Sequence, residues 1–200
     1  MISIELAELA VKYKNNGVVG FDLAGVENNY PAKKHKEAFY IIRNNNINTT
    51  VHAGEAFGPE SIHQAIHTCG ANRIGHGIRL LEDPELLSYV NDHRICLEIC
   101  ITSNFHTGAV DSINEHPFIY YYDRGVRVSL NTDNRLISNT NLSKEYLTAC
   151  KLFNLSLKDI REIIIMSMKS AFIPHQERKE LIKILSNELE NDFGITSSYI

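Results

Sequence analysis

Three short apolar runs in this chain each end in residues able to bind a metal or move a proton: Thr50-Val51-His52-Ala53-Gly54-Glu55, Ile74-Gly75-His76-Gly77 and Ser129-Leu130-Asn131-Thr132-Asp133. Each run is too short for a helix, and helix-like stretches lie between them. Parallel strands need crossovers of a dozen or more residues, and parallel α/β folds present their chemistry at the carboxyl ends of the strands. His, Glu, His and Asp delivered to one rim by separate strands is the way an α/β barrel assembles a hydrolytic site.

The rest of the chain keeps the same alternation. Leu6, Leu9, Ala10 and Tyr13 fall at helical spacing between Ser3 and Asn15, with Gly17 where a C-cap glycine belongs. Strands are expected at Val18–Leu23, Asn48–His52, Arg73–His76, Ile95–Cys100 and Val126–Asn131, their starts roughly 22 to 32 residues apart. Pro31 opens a helix running to about Arg43, and Gly58-Pro59-Glu60 opens one closing near Cys69-Gly70. Asp83-Pro84 pairs an N-cap acceptor with a first-turn proline for a helix that ends before Arg94. A shorter helical stretch lies near Pro117 to Arg124.

Beyond the fifth strand only helices are expected. One spans Ser143 to Phe153; Ser156-Leu157-Lys158-Asp159 reads as a capping box for a second, through about Phe172. Pro174 starts a third, with Leu181, Ile184, Leu185 and Leu189 on one face. No linker-like segment divides residues 1–200, so the chain reads as one folding unit. The fold class expected is α/β: a partial (β/α)8 TIM barrel, about its last five strands, followed by C-terminal helices. A closed barrel needs eight strands and usually ~250 residues.

Composition narrows the partners. The formal net charge is -4 with both signs interspersed, and the longest basic cluster, Lys33-Lys34-His35-Lys36, reads as a solvated helix face. That argues against nucleic acid as a partner. The N-terminus carries no basic n-region and no long apolar run, so no signal peptide and no membrane span is expected, which points to the cytoplasm. Cys69, Cys96, Cys100 and Cys150 lack zinc-knuckle spacing and read as reduced, mainly buried thiols.

Asp22-Leu23-Ala24-Gly25, Thr50 to Glu55, Arg73-Ile74-Gly75-His76-Gly77, Ser103-Asn104 with Thr107-Gly108-Ala109, and Ser129 to Asp133 together resemble the adenosine deaminase family, within the metal-dependent amidohydrolase barrels. The resemblance covers nearly the whole chain, but only the C-terminal half to three-fifths of the family's domain. Members begin with a strand carrying a His-x-His pair that supplies two metal ligands, whereas here no His precedes His35. The chain therefore looks like an incomplete or split deaminase lacking its first three barrel strands.

The resemblance implies hydrolytic deamination of adenosine or 2′-deoxyadenosine to the inosine product and ammonia, as in purine salvage, with one Zn²⁺ per complete site. It makes His52 and Asp133 metal ligands, Glu55 the acid that protonates the purine ring, and His76 a contact that helps deprotonate the attacking water. Gly25 would offer its N–H to the purine; a plain turn glycine is the competing reading. Many members carry a second Asp after the metal Asp, where it meets the purine N7. Here Asn134 stands there, and its amide donates at any ordinary pH.

Weaker candidates are Glu98 and Ser103 as supporting groups and His106 on a rim loop; His63 and His67, though at i,i+4, read as an exposed face. A deaminase of adenine, AMP or a modified nucleoside, and a catalytically silent half-barrel, are the alternatives. The partners expected are a purine nucleoside substrate and either a complementing N-terminal fragment or further copies of the chain. Open sheet edges at the first and last strands and an exposed apolar barrel interior are expected as well.

Overall fold

The computed structural model describes residues 2–194. The elements run α1 (Ile2–Tyr13), β1 (Gly20–Leu23), α2 (Lys36–Asn44), β2 (Asn48–Ala53), α3 (Pro59–His67), β3 (Arg73–His76), α4 (Pro84–Asp92), β4 (Cys96–Ile99), α5 (Ile101–His106), α6 (Phe118–Asp123), β5 (Val128–Leu130), α7 (Leu142–Phe153), α8 (Leu157–Lys169) and α9 (His175–Phe193). All five strands are parallel and lie side by side in chain order. This is the partial barrel the sequence implies. Among the described residues, β1 pairs only with β2 and β5 only with β4, so both edges are open.

Register explains the core. Leu23, Val51, Ile74, Leu97 and Val128 form one row across the sheet. Val51, Ile74, Leu97 and Val128 are fully buried, packed with Phe39, Ile62, Ala65, Val90, Phe118 and Tyr121 on the helix-covered face. Period-2 alternation then sends Thr50, Arg73, Cys96, Glu98 and Ser129 to the opposite, concave face. There Arg73 Nε lies 3.0 Å from Glu98 Oε1, Thr50 Oγ1 donates to Glu98, and the Arg73 guanidinium stacks 3.5 Å from the Phe172 ring centre.

The expected apolar interior is therefore corrected: the concave face is lined by charged and hydroxylic groups, with Arg73 ion-paired to Glu98 and Thr50 hydrogen-bonded to it. The Arg73 and Glu98 side chains are largely buried on that face, and an unpaired buried charge is costly. Glu98 belongs to this layer rather than to the rim.

Local chemistry sets the helix starts. Asp83 Oδ1 accepts from Leu86 N at 3.0 Å ahead of Pro84, and Ser156 and Asp159 form the reciprocal capping box. Behind Pro31 the chain first makes a 3-10 turn at Ala32–His35 and only then α2. The short helix α5 was not expected, and it corrects His106 from a loop to a helix end, where it is exposed.

Two apolar stripes are also reassigned. Leu6, Leu9 and Tyr13 of α1 face solvent, while Ala7, Ala10 and Val11 pack against Ala38, Ile42 and Ile47. Leu181 and Ile184 of α9 are exposed likewise. Periodicity identifies a stripe but not what covers it. Lys33, Lys34, Lys36, His63 and His67 are exposed as expected, and Cys69, Cys96 and Cys100 are buried free thiols. Burial pushes the Cys69 thiol up to about 12. Among the described residues no helix is long and apolar enough to cross a membrane.

Candidate active site

The site forms where the carboxyl ends of β1 to β5 meet. His52 is the penultimate residue of β2, on the concave side, and Glu55 follows through Gly54, whose φ of 71° is a left-handed value that favours glycine. His76 ends β3. Alternation from buried Ile74 would send its ring back among the helices, but its own φ of 65° breaks the alternation. The ring instead stands edge-on to His52, centroids 5.0 Å apart. Strain of this kind, in a non-glycine residue, concentrates at functional positions. Asp133, two residues beyond Asn131 in the turn after β5, is left-handed too, with φ 52°.

Hydrogen bonds hold these groups in place. Ser103 Oγ donates to Asp133 Oδ2 at 2.7 Å. Glu55 Oε1 accepts from Asn104 Nδ2 at 3.0 Å and from Thr107 Oγ1 at 3.1 Å, and lies 3.6 Å from His76 Nδ1. The Gly54–Ala56 turn is clamped from β1's side. Glu27 Oε1 accepts from Gly54 N at 2.7 Å, and its Oε2 accepts from Glu55 N at 2.9 Å and Ala56 N at 2.7 Å.

The two histidines have opposite electrostatics. The Asp22 carboxylate, 3.7 Å from His52 Nδ1, raises the His52 pKa against the effect of burial, with Asp133 and Glu55 adding to it. At that distance the contact is an attraction rather than a hydrogen bond, so buried Nδ1 has no hydrogen-bond partner. For His76 burial dominates and lowers the pKa, with His52 acting in the same direction and Glu55 and Asp133 opposing.

His52, Glu55 and His76 are thus brought together, with Asp133 close enough to act on both rings. Gly25, with φ 128° and open space where a Cβ would stand, lines a cavity of about 670 Å³ with His52, Glu27, Tyr30 and Phe57. Glu55, His76 and Asp133 do not line that cavity. Asn134 is exposed; its Oδ1 accepts from Leu136 N and Ile137 N at 3.2 and 3.1 Å, so it caps the next turn while its amide N–H groups stay available. The sequence did not single out Asp22, Glu27, Asn104, Thr107 or His116. Asp22, Asn104 and Thr107, inside quoted motifs, left a signal; Glu27 and His116 left none.

A metal fits this donor set in part. His52 offers an imidazole with an unpartnered buried nitrogen and Asp133 a carboxylate, the chemistry zinc takes. Among the described residues, however, no three His, Cys, Asp or Glu side chains converge as a metal-binding group, and catalytic zinc normally uses three protein ligands. His52 and Asp133 are thus two donors where such a site needs at least three.

Comparison with known proteins agrees with the geometry. Residues 1–188 match the family model described as adenosine deaminase. An adenosine deaminase of Mycobacterium ulcerans is 47% identical over 192 residues, which is 90% of this chain and 53% of that protein. Among solved structures, the N6-methyl-AMP deaminase of Arabidopsis thaliana superposes with a TM-score of 0.83 at 29% identity, over 92% of this chain and 54% of that one. The adenine deaminase of Arthrobacter aurescens gives 0.87 at 21% identity, over 94% and 57%, and shows the fold alone. The chain spans about half the length of the curated relatives it matches. With the strand-end motifs in order, their side chains gathered on one rim and the family model matched from residue 1 to 188, the chain belongs to the adenosine deaminase family.

Proposed function

We propose that this chain contributes the C-terminal part of a deaminase site that hydrolyses adenosine or 2′-deoxyadenosine to the inosine product and ammonia. The observation that carries the reading is Glu55 held 3.6 Å from His76 beside His52, on strand ends of a chain in this family. Zinc, when bound, supplies Lewis acidity that makes a water nucleophilic near neutral pH; His52 and Asp133 would hold it, with the remaining ligands from a segment bearing a His-x-His strand.

The chain's own groups divide the remaining work. Glu55 carries a proton to the ring nitrogen beside the attacked carbon, and its Oε2 is left free for this because Asn104 and Thr107 bind Oε1. His76 engages the attacking water. Gly25 offers its N–H to the purine, the open space beside it allowing close approach, and the Asn134 amide donates to N7. The nucleoside partner, a cytoplasmic setting and the need for a complementing segment belong to the same proposal. The likeness to the Arabidopsis enzyme, at 29% identity, favours a second reading in which the substrate is an AMP derivative.

The test is complementation. The 200-residue chain is assayed alone and with a segment bearing the His-x-His strand, on adenosine, deoxyadenosine, adenine, AMP and N6-methyl-AMP, with zinc binding followed by calorimetry. Turnover and tight zinc binding are expected only in the complemented sample. Glu55→Gln should lower kcat about 10²- to 10⁴-fold while sparing zinc and nucleoside binding. Robust turnover by the chain alone would overturn the fragment reading. A complemented sample that binds zinc yet deaminates none of the five substrates would overturn the enzymatic one.

A further inference from the structure

Asn104 is fully buried on α5 and touches three ionisable side chains at once. Its Nδ2 lies 2.9 Å from His76 Nδ1 and 3.0 Å from Glu55 Oε1, and its Oδ1 lies 3.2 Å from His116 Nε2. His116 is itself buried, and its Nδ1 lies 3.1 Å from the backbone N of Phe118, at the start of α6.

The proton positions follow from one unambiguous donor. A backbone N–H can only donate, so His116 Nδ1 must carry a lone pair. Burial, with the neighbouring His76, pushes the His116 pKa down to about 4, so its ring is neutral and its single proton sits on Nε2. That proton can only be given to Asn104 Oδ1. The amide orientation is then settled, and its two N–H groups point to the two acceptors on the other side, His76 Nδ1 and Glu55 Oε1. Each donor that meets Asn104 or His116 has an acceptor, as a buried network requires.

We infer that Asn104 and His116 are positioning residues that lock His76 as the tautomer carrying its proton on Nε2 and place any proton on Glu55 at Oε2. The inference rests on the reading of His76 and Glu55 as site residues. It assigns His76 a definite role: a neutral ring whose Nδ1 is engaged presents Nε2–H as a donor, so it orients and holds the attacking oxygen rather than accepting a proton from it. It also explains why His76 Nδ1 and Glu55 Oε1, both acceptors, sit only 3.6 Å apart: one amide donates to each of them.

The experiment reads the tautomer directly. The full chain is labelled with ¹⁵N in its imidazole rings, and long-range ¹H–¹⁵N correlations separate the Nε2–H from the Nδ1–H form. Both His76 and His116 are expected as neutral Nε2–H. Asn104→Asp keeps the shape but replaces the donor facing Nδ1 by an acceptor, so a proton should appear on His76 Nδ1. His116→Gln, whose amide can still donate to Oδ1, should leave His76 in the Nε2–H form.

In the complemented enzyme Asn104→Asp should cut kcat between about 10²- and 10⁴-fold with KM changed less than threefold, since a mis-set histidine tautomer acts on the chemical step. His116→Gln should retain most of kcat. A wild-type His76 carrying its proton on Nδ1 overturns the inference without any variant needing to fold. So does an Asn104→Asp spectrum identical to wild type. If the tautomer is found as inferred but no complemented sample deaminates a purine, the functional reading fails and the lock stands.

Discussion

Removing the Glu27 carboxylate tests how the Gly54–Ala56 turn is held. Three backbone N–H groups donate to it, and a hydrogen bond to a charged group contributes about 1.5–3 kcal/mol. The three are not equivalent. Gly54 N also lies 2.8 Å from Ser61 Oγ and keeps that acceptor, and the exposed Ala56 can turn to water. Only the N–H of half-buried Glu55 loses most of its partner's value. Glu27→Ala should therefore cost about 2–3 kcal/mol, or roughly 5–10 °C in Tm for a chain of this size.

Glu27→Gln keeps a carbonyl oxygen for the Glu55 and Ala56 pair and loses charge, so about 1 kcal/mol is expected. Urea unfolding gives the global figure, and amide exchange at Glu55 and Ala56 gives the local one, where about 2 kcal/mol is a roughly 30-fold faster opening. If Glu27→Ala left both amides as protected as before and moved stability by less than about 0.5 kcal/mol, the clamp would be a geometric coincidence.

Asn134→Ala in the complemented enzyme should lose roughly five- to 150-fold in kcat/KM, the worth of about 1–3 kcal/mol, without losing metal, and should discriminate less against 7-deazaadenosine; equal discrimination would leave Asn134 as the turn cap that its Oδ1 already makes. Stability should fall in mild acid. His116 titrates at about 4 in the fold against 6.5 as its ordinary value, so the unfolded chain binds the proton first. Its contribution is whole above pH 6.5 and is lost progressively as pH falls toward 4, the loss amounting to about 3 kcal/mol below that. The urea midpoint of wild type should drop more steeply than that of His116→Gln over this window, and parallel curves would count against a buried neutral His116.

The strands were legible because each apolar run ends abruptly in polar, chemistry-bearing residues, and His52, Glu55, His76 and Asp133 stand at those ends. What escaped was tertiary. Helix α5 has six residues and an N-cap, Cys100, that makes no side-chain capping bond, so Ile101–His106 reads as a loop. Glu27 looks like a surface acid in an Asn-rich loop, and the N–H groups it serves lie 27 to 29 residues away. His116 precedes a proline and reads as a turn; only the fold brings it to Asn104. The concave face was misjudged because barrel interiors are usually apolar, while here Arg73, Glu98 and Thr50 occupy alternate positions that a hydropathy average hides.

Pairing in chain order also shapes how the sheet is reached during folding. Each strand joins the one just synthesised, through loops such as the 23-residue separation bridged by Thr49 and Asn72. Loop-closure entropy grows only with the logarithm of length, so the four pairings cost nearly the same and can form in succession. The bond from Arg73 Nη1 to Ser170 O spans 97 residues, and closing it costs about 1.3 kcal/mol more than closing 23. That segment, carrying Ser170 and Phe172, is expected to cover the charged concave layer after neighbouring strands have paired, an order that site-by-site folding kinetics would check.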